Sequence, residues 1–174
     1  MTIKVIERVG ILDNCTSNDI SDMRLFNDIV VSADNLIYAG YEYKDRSGNT
    51  TARILRVNQS TGNRQNWCYN STENEDSSFL SVAVDTDGNY IAVGYVSSRD
   101  GYYDALAIKF NKYLEVVTVK LYSGGNYNCF NSVMIESGGD IICTGSSCFI
   151  NSETYNKVRI RFDKDLNILS RSHI

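Results

Sequence analysis

Few side chains in this sequence are spaced for chemistry. The one histidine, His173, stands next to the C-terminus, so Ser–His or Cys–His catalysis would depend on a position of the kind that frays. The five cysteines, Cys15, Cys68, Cys129, Cys143 and Cys148, contain no C-x-x-C pair, and the step of five from Cys143 to Cys148 is a weak metal signal. Asp and Glu are scattered, with no spacing that sets one against another for acid–base work. Asp85-Thr86-Asp87-Gly88-Asn89 opens like a calcium loop, with carboxylates at alternate positions. The EF-hand pattern then needs Glu at position 12, where this sequence has Val96, so the stretch reads as a hairpin turn. No G-x-G-x-x-G or Walker spacing occurs to cradle a phosphate. No catalytic residue, metal or cofactor is assigned, and an enzyme is not the expected class.

The totals exclude further classes. With 17 basic against 21 acidic residues the net charge is −4, and no basic run forms, so phosphate-driven nucleic-acid binding is excluded. Lys4, Glu7 and Arg8 interrupt the apolar N-terminal stretch, which a signal peptide would keep unbroken for ~7–15 residues. No segment approaches the ~20 apolar residues of a membrane span. An odd number of cysteines without a leader predicts five free thiols, and a Cys15–Cys68 bridge is the pairing that would overturn this. Each of those two lies eleven residues before a repeat's phenylalanine. The default location is then cytoplasmic, with the cell surface as the alternative if the chain is part of a longer one.

The elements that would carry any function repeat. "FNDIVVSADNLIYAGYE" begins at Phe26, "FLSVAVDTDGNYIAVGYV" at Phe79 and "FNSVMIESGGDIICTGSS" at Phe130, steps of 53 and 51 residues. Each is a phenylalanine, an apolar run, a short turn, a second apolar run and a glycine, Gly40, Gly94 or Gly145. A second motif keeps the period: "ARILRVN" ends at Asn58, "ALAIKFN" at Asn111 and "VRIRFD" at Asp163. Periods of ~40–50 residues built from four strands belong to propeller blades. "SVAV", "YIAVGY" and "ALAIKF" are nearly continuous apolar runs, as strands buried on both faces require. "EVVTVKLYSGG" alternates Val117, Val119 and Leu121 with Thr118 and Lys120, as a half-exposed outer strand does. The fold class is all-β: three four-stranded blades at 26–78, 79–129 and 130–174, with an extra N-terminal strand at 2–9.

The pattern F-x-S-V-A-V-D-x-D-G-N-x-x-x-x-G-Y, then D-A-L-A-I-K-F-N, then an outer strand closing in Gly-Gly, resembles the SBBP-type β-propeller repeat of bacterial proteins. Phe79 to Gly125 carries it best. The repeat from Phe130 matches the first half and "RIRFD", whereas the repeat from Phe26 lacks the first-turn glycine and the terminal Gly-Gly. The resemblance implies a propeller, often in surface-associated or scaffold proteins. It brings no catalytic residues.

In a four-stranded blade, the loops between the second and third strands open on the same face as the loops between blades. That face receives 41–51, 97–104 and 146–156 together with 10–25, 68–78 and 123–129. These segments carry Tyr41, Tyr43, Tyr69, Tyr102, Tyr103 and Tyr127, the candidate binding residues, and long loops on a rigid scaffold are where binding usually sits. The competing account is that these rings pack against neighbouring blades. The reading is a non-enzymatic scaffold or interaction module that binds a partner through this face. A carbohydrate-binding propeller is the alternative, weakened because Tyr41 and Tyr95 are matched by Ser146 in the third repeat. A fragment of a larger propeller enzyme or surface protein is a further alternative. Three blades fall short of the ~4–8 that close a ring, and end faces rich in Val, Ile and Phe would lie open to water. A homodimer making six blades is therefore expected.

Overall fold

The computed structural model of the chain describes residues 4–6, 25–43, 49–69, 76–97, 101–123, 127–148 and 155–173. Expectations for the loop tips, 10–24, 70–75, 98–100, 124–126 and 149–154 among them, lie outside the described residues. Every regular element described is a strand. After β1 (Lys4–Ile6) come β2 (Leu25–Ser32), β3 (Asn35–Tyr43), β4 (Thr50–Asn58) and β5 (Arg64–Cys68), paired in chain order as an antiparallel meander. A second meander holds β6 (Ser77–Val84), β7 (Tyr90–Ser97), β8 (Tyr103–Phe110) and β9 (Val116–Ser123). The third holds β10 (Tyr127–Ile135), β11 (Ile141–Cys148), β12 (Tyr155–Phe162) and β13 (Ile168–His173). A single parallel bridge, Tyr127 to Tyr103, joins the second and third units, and the sheets do not close on themselves. β1 pairs antiparallel with β9, Val5 opposite Tyr122. The extra N-terminal strand is thus taken up within the chain, at the outer edge of the middle unit.

The units stack through two apolar seams. Ile37, Ala39, Ile54 and Trp67 of the first unit meet Phe79, Ala92, Leu106, Ile108 and Phe110 of the second. Ile91, Val93, Ala105, Ala107 and Tyr122 of the second unit meet Phe130, Ile141, Cys143, Ile160 and Phe162 of the third. The middle unit therefore sends alternate residues of β7 and β8 into opposite seams, which is why those strands read as unbroken apolar runs. Each large side chain so buried contributes ~1.5–3 kcal/mol.

The inner strands share one irregularity. The register shifts between Phe26 and Asp28, between Phe79 and Ser81, and between Phe130 and Ser132, so each inner strand carries a bulge just after its phenylalanine. The facing glycines answer it: a Cβ on Gly94 would collide with the Ser78 carbonyl, and Gly40 and Gly145 meet the Leu25 and Cys129 carbonyls in the same way. The tight turns are closed by side chains. Asp85 Oδ1 accepts from the amides of Asp87 and Asn89 at 2.9 and 2.8 Å, and Asp163 repeats this with Asp165 and Asn167.

Two expectations are corrected. The outward face of the third unit is not apolar: β12 exposes Lys157, Arg159 and Arg161 while burying Val158, Ile160 and Phe162. Glu136 and Asp140 pair with Arg161 at 3.2 and 2.7 Å on that face, and Glu136 also reaches Arg159 at 3.3 Å. Nor does β9 keep its expected alternation, because Val117 is 54% exposed. A register shift between Lys109 and Phe110 pairs Phe110 with Val116 and turns Val117 outward.

Candidate functional site

The pairing places one end of every unit together. Tyr43 opposes Thr50, Ser97 opposes Tyr103, and Cys148 opposes both Tyr155 and Tyr127. At this end the tyrosines form a row. The Tyr41 and Tyr43 rings stand edge to face at 5.8 Å in the first unit. Tyr95 meets Tyr103 at 5.1 Å in the second, and Tyr103 meets Tyr127 at 5.4 Å across the seam. Tyr127 in turn lies 6.3 Å from Tyr155 in the third unit. Such pairs each contribute ~0.5–1.5 kcal/mol beyond burial. Burial first, and then the neighbouring Tyr103, Asp76 and Tyr41, push the Tyr95 hydroxyl above its ordinary pKa. Burial, with the Tyr43 hydroxyl beside it, does the same to Tyr41. These phenols stay neutral across the physiological range, presenting apolar faces and hydroxyls that both donate and accept.

Tyr95, Tyr103, Tyr127 and Tyr155 wall a cleft of about 200 Å³ with Asn128, Cys129 and Ser146. That is below the ~300–1,000 Å³ of drug-sized pockets and suits a single ring or side chain. Behind it a recess of about 30 Å³ shares Asn128, Cys129 and Ser146 and is also lined by Arg171. Asn128 is fixed in place, accepting from Ser147 Oγ at 2.7 Å and donating to the Tyr103 carbonyl at 3.4 Å. Burial raises the Cys129 thiol pKa, with hydrogen bonds from Ser146 acting in the opposite sense, so Cys129 is no activated nucleophile. Among the described residues, no three His, Cys, Asp or Glu side chains gather as a metal set.

Of the six tyrosines singled out by sequence, Tyr103 and Tyr127 belong to the chain of rings from Tyr95 to Tyr155, and Tyr41 and Tyr43 pair with each other at the same end of the first unit. Tyr102 is 40% exposed just before β8 and makes no ring contact among the described residues. Tyr69 is 4% exposed and packs beside Trp67 in the first seam. Its amide donates to Ala52 O at 2.8 Å. Its counterpart is Tyr122, which opposes Ala105 in the second seam and donates its hydroxyl to Leu166 O at 3.0 Å. Tyr155 was not singled out, although it opens β12 as Tyr103 opens β8, and aligning the repeats identifies it.

The expectation of five free thiols is also corrected. Cys129, Cys143 and Cys148 are reduced thiols, but Cys68 is disulfide-bonded, and Cys15 lies outside the described residues. An odd total forbids pairing all five, not pairing two. The oxidised Cys68 sulfur has no proton to give, so its 3.5 Å approach to Glu42 Oε1 is a contact only. That carboxylate also holds Arg53, a fully buried guanidinium at the same end of the first unit.

No family model matches the chain, and no curated protein matches it. Among solved structures, an acylaminoacyl peptidase from Pyrococcus horikoshii in an orthorhombic crystal form matches with TM-score 0.53 and 11% identity. The match covers 88% of this chain and 26% of the peptidase, so the chain spans about a quarter of that protein. The peptidase carries a β-propeller domain, and the likeness supports a β-propeller-like fold. At this identity it speaks for the fold alone. Among the described residues no helix is long and apolar enough to cross a membrane.

Proposed function

We propose that the chain is a non-enzymatic interaction module of β-propeller type. Its three units are read as SBBP-type blades that self-associate with a second copy to complete a six-bladed ring. Its tyrosine-bearing end binds a partner. The observation that carries the partner reading is the row from Tyr95 through Tyr103 and Tyr127 to Tyr155, which crosses a seam and leaves Tyr127 38% and Tyr155 61% exposed. Rings that only packed the seam would be covered. Rigid, amphipathic tyrosines offer contact area at small entropic cost.

A carbohydrate-binding reading is favoured by one observation, the small cleft in which those rings stand with Asn128 and Ser146. Its wall is neutral and hydroxyl-rich, matching groups that donate and accept alike. The site lies at one seam, so the absence of a tyrosine at Ser146 does not count against it. Labelled protein screened on parallel glycan and peptide arrays separates the two readings. Either kind of binding should fall at least tenfold in the doubly substituted Tyr127→Ala, Tyr155→Ala protein and persist in Tyr113→Ala, whose exposed ring sits in the β8–β9 turn at the opposite end. Binding that survives the double substitution removes this face as the site.

A further inference from the structure

Links of two kinds join the units, the asparagine one made once because Leu80 stands in that place in the middle unit, and the third unit is equipped to make both. Arg56 on β4, Lys109 on β8 and Arg161 on β12 hold one register, opposite Ile37, Ile91 and Ile142. Arg56 Nη1 donates to the carbonyl of Lys112 in the second unit at 2.7 Å, and Lys109 Nζ donates to the carbonyl of Lys164 in the third at 2.8 Å. Each acceptor directly follows its repeat's Asn111 or Asp163; in the first unit that place belongs to Gln59. Lys109 is also paired with Asp85 at 3.0 Å, both nearly buried beneath the third unit. Arg161 has the matching partner, Glu136 at 3.2 Å, but this pair is 47% and 31% exposed. It is the same pair without its cover.

The second link uses the bulges. A bulge releases a carbonyl from the ladder, and Asn27 Nδ2 donates to Phe79 O at 2.6 Å across the first seam. Asn131 repeats Asn27 in type and position, with the Phe26 carbonyl in the place of Phe79 O. The next inner position behaves likewise: Asp28 Oδ2 accepts from Val82 N at 3.0 Å, and Ser81 Oγ accepts from Val133 N at 3.3 Å. Ser132 continues the series toward Ile29, whose amide in the single chain bonds Asp28 Oδ1 at 2.8 Å.

The apolar contacts follow the same logic. Val82 and Val133 are 5% and 7% exposed because each packs against the preceding unit, while their counterpart Ile29 is 50% exposed and its neighbour Val31 63%. On the outward side Met134 is 57% exposed, whereas its counterparts Val30 and Ala83 lie against the two seams. On the outward face of β12, Arg161 takes the place of the middle unit's buried Lys109, while Lys157 and Arg159, where β8 has Ala105 and Ala107, make this face more polar than the seams within the chain.

We infer that a second copy of this chain docks its first unit onto the third unit, Asn131 donating to the Phe26 carbonyl and Arg161 to the Gln59 carbonyl, over a seam of Met134, Ile29 and Val31. The docking and receiving surfaces lie at opposite ends of one chain, so the contact is head to tail, and two of them about a two-fold axis close the ring. The inference rests on the self-association proposed above and names its interface. Light scattering after size-exclusion chromatography, on the full chain at micromolar concentration, should give twice the 19.6 kDa of one copy. Ile29→Asp and Arg161→Gln should each weaken the dimer at least tenfold with unchanged far-UV circular dichroism. Val117→Asp, on an exposed outer-strand position, should leave it intact. A wild-type monomer overturns both the self-association and its interface. An open series of larger assemblies overturns the closed ring, and a dimer indifferent to both seam variants overturns the interface while leaving self-association standing.

Discussion

β8 and β12 occupy the same place in successive repeats, yet they live in different surroundings. Ala105 to Phe110 are all buried, whereas β12 alternates, exposing Lys157, Arg159 and Arg161. Ala107 opposes Val93, and Arg159, at the matching position, opposes Thr144. The repeat motif fixes strand and turn. Which residue types fill these two strands follows whether another unit of the same chain lies on each face. β8, packed within the chain on both faces, is apolar from Ala105 to Phe110 but for the paired Lys109, whereas β12, packed within the chain on one, keeps a period of two.

The strongest way to break the comparison is to exchange the two positions. Ala107→Arg would place a charge without a partner in the second seam, and loss of cooperative folding is expected on thermal denaturation. Arg159→Ala should change the stability of the single chain by no more than about 0.5–1 kcal/mol, as for an exposed ion pair. The next largest contrast lies between the ion pairs. Asp85→Asn strips Lys109 of its buried partner and should cost roughly 3 kcal/mol, whereas Glu136→Gln should cost the single chain about 1 kcal/mol or less. Urea titration measures both.

Asp85 also predicts a pH dependence. Burial opposes its ionisation, but hydrogen bonds from the Asn89 side chain and backbone and the Lys109 ammonium outweigh it and hold the pKa below the usual carboxylate value. The stabilisation is therefore complete above the unfolded value of about 3.9 and is lost as pH falls through the lower folded one. Chemical denaturation between pH 5 and pH 2 should show an acid limb that is shallower in Asp85→Asn. The smallest contrast concerns the glycines. Gly94→Ala drives a methyl into the Ser78 carbonyl and should cost about 1–3 kcal/mol. At Gly138 the same change meets open space and should be near neutral.

Much of this was legible in the sequence. The paired phenylalanine and glycine motifs announced three repeats, and "DTDGN" announced a turn, because both signals are local. The outward face of β12 was legible too, in the alternation of "KVRIRF", but the homology of the repeats obscured it. The outward turn of Val117 comes from a shift in pairing with β8, which no pattern within β9 records. Tyr69 and Tyr103 look alike as loop tyrosines. One packs into a seam and the other joins the row, and that difference is set by which unit lies alongside. The disulfide at Cys68 was not legible, because an odd count of cysteines says nothing of any one of them.

The central claim is that the seam made twice within the chain is made again between copies. Sedimentation velocity of the unmodified chain at micromolar concentration tests it directly. The account predicts one species of twice 19.6 kDa, and a folded, soluble monomer of 19.6 kDa across that range would contradict it.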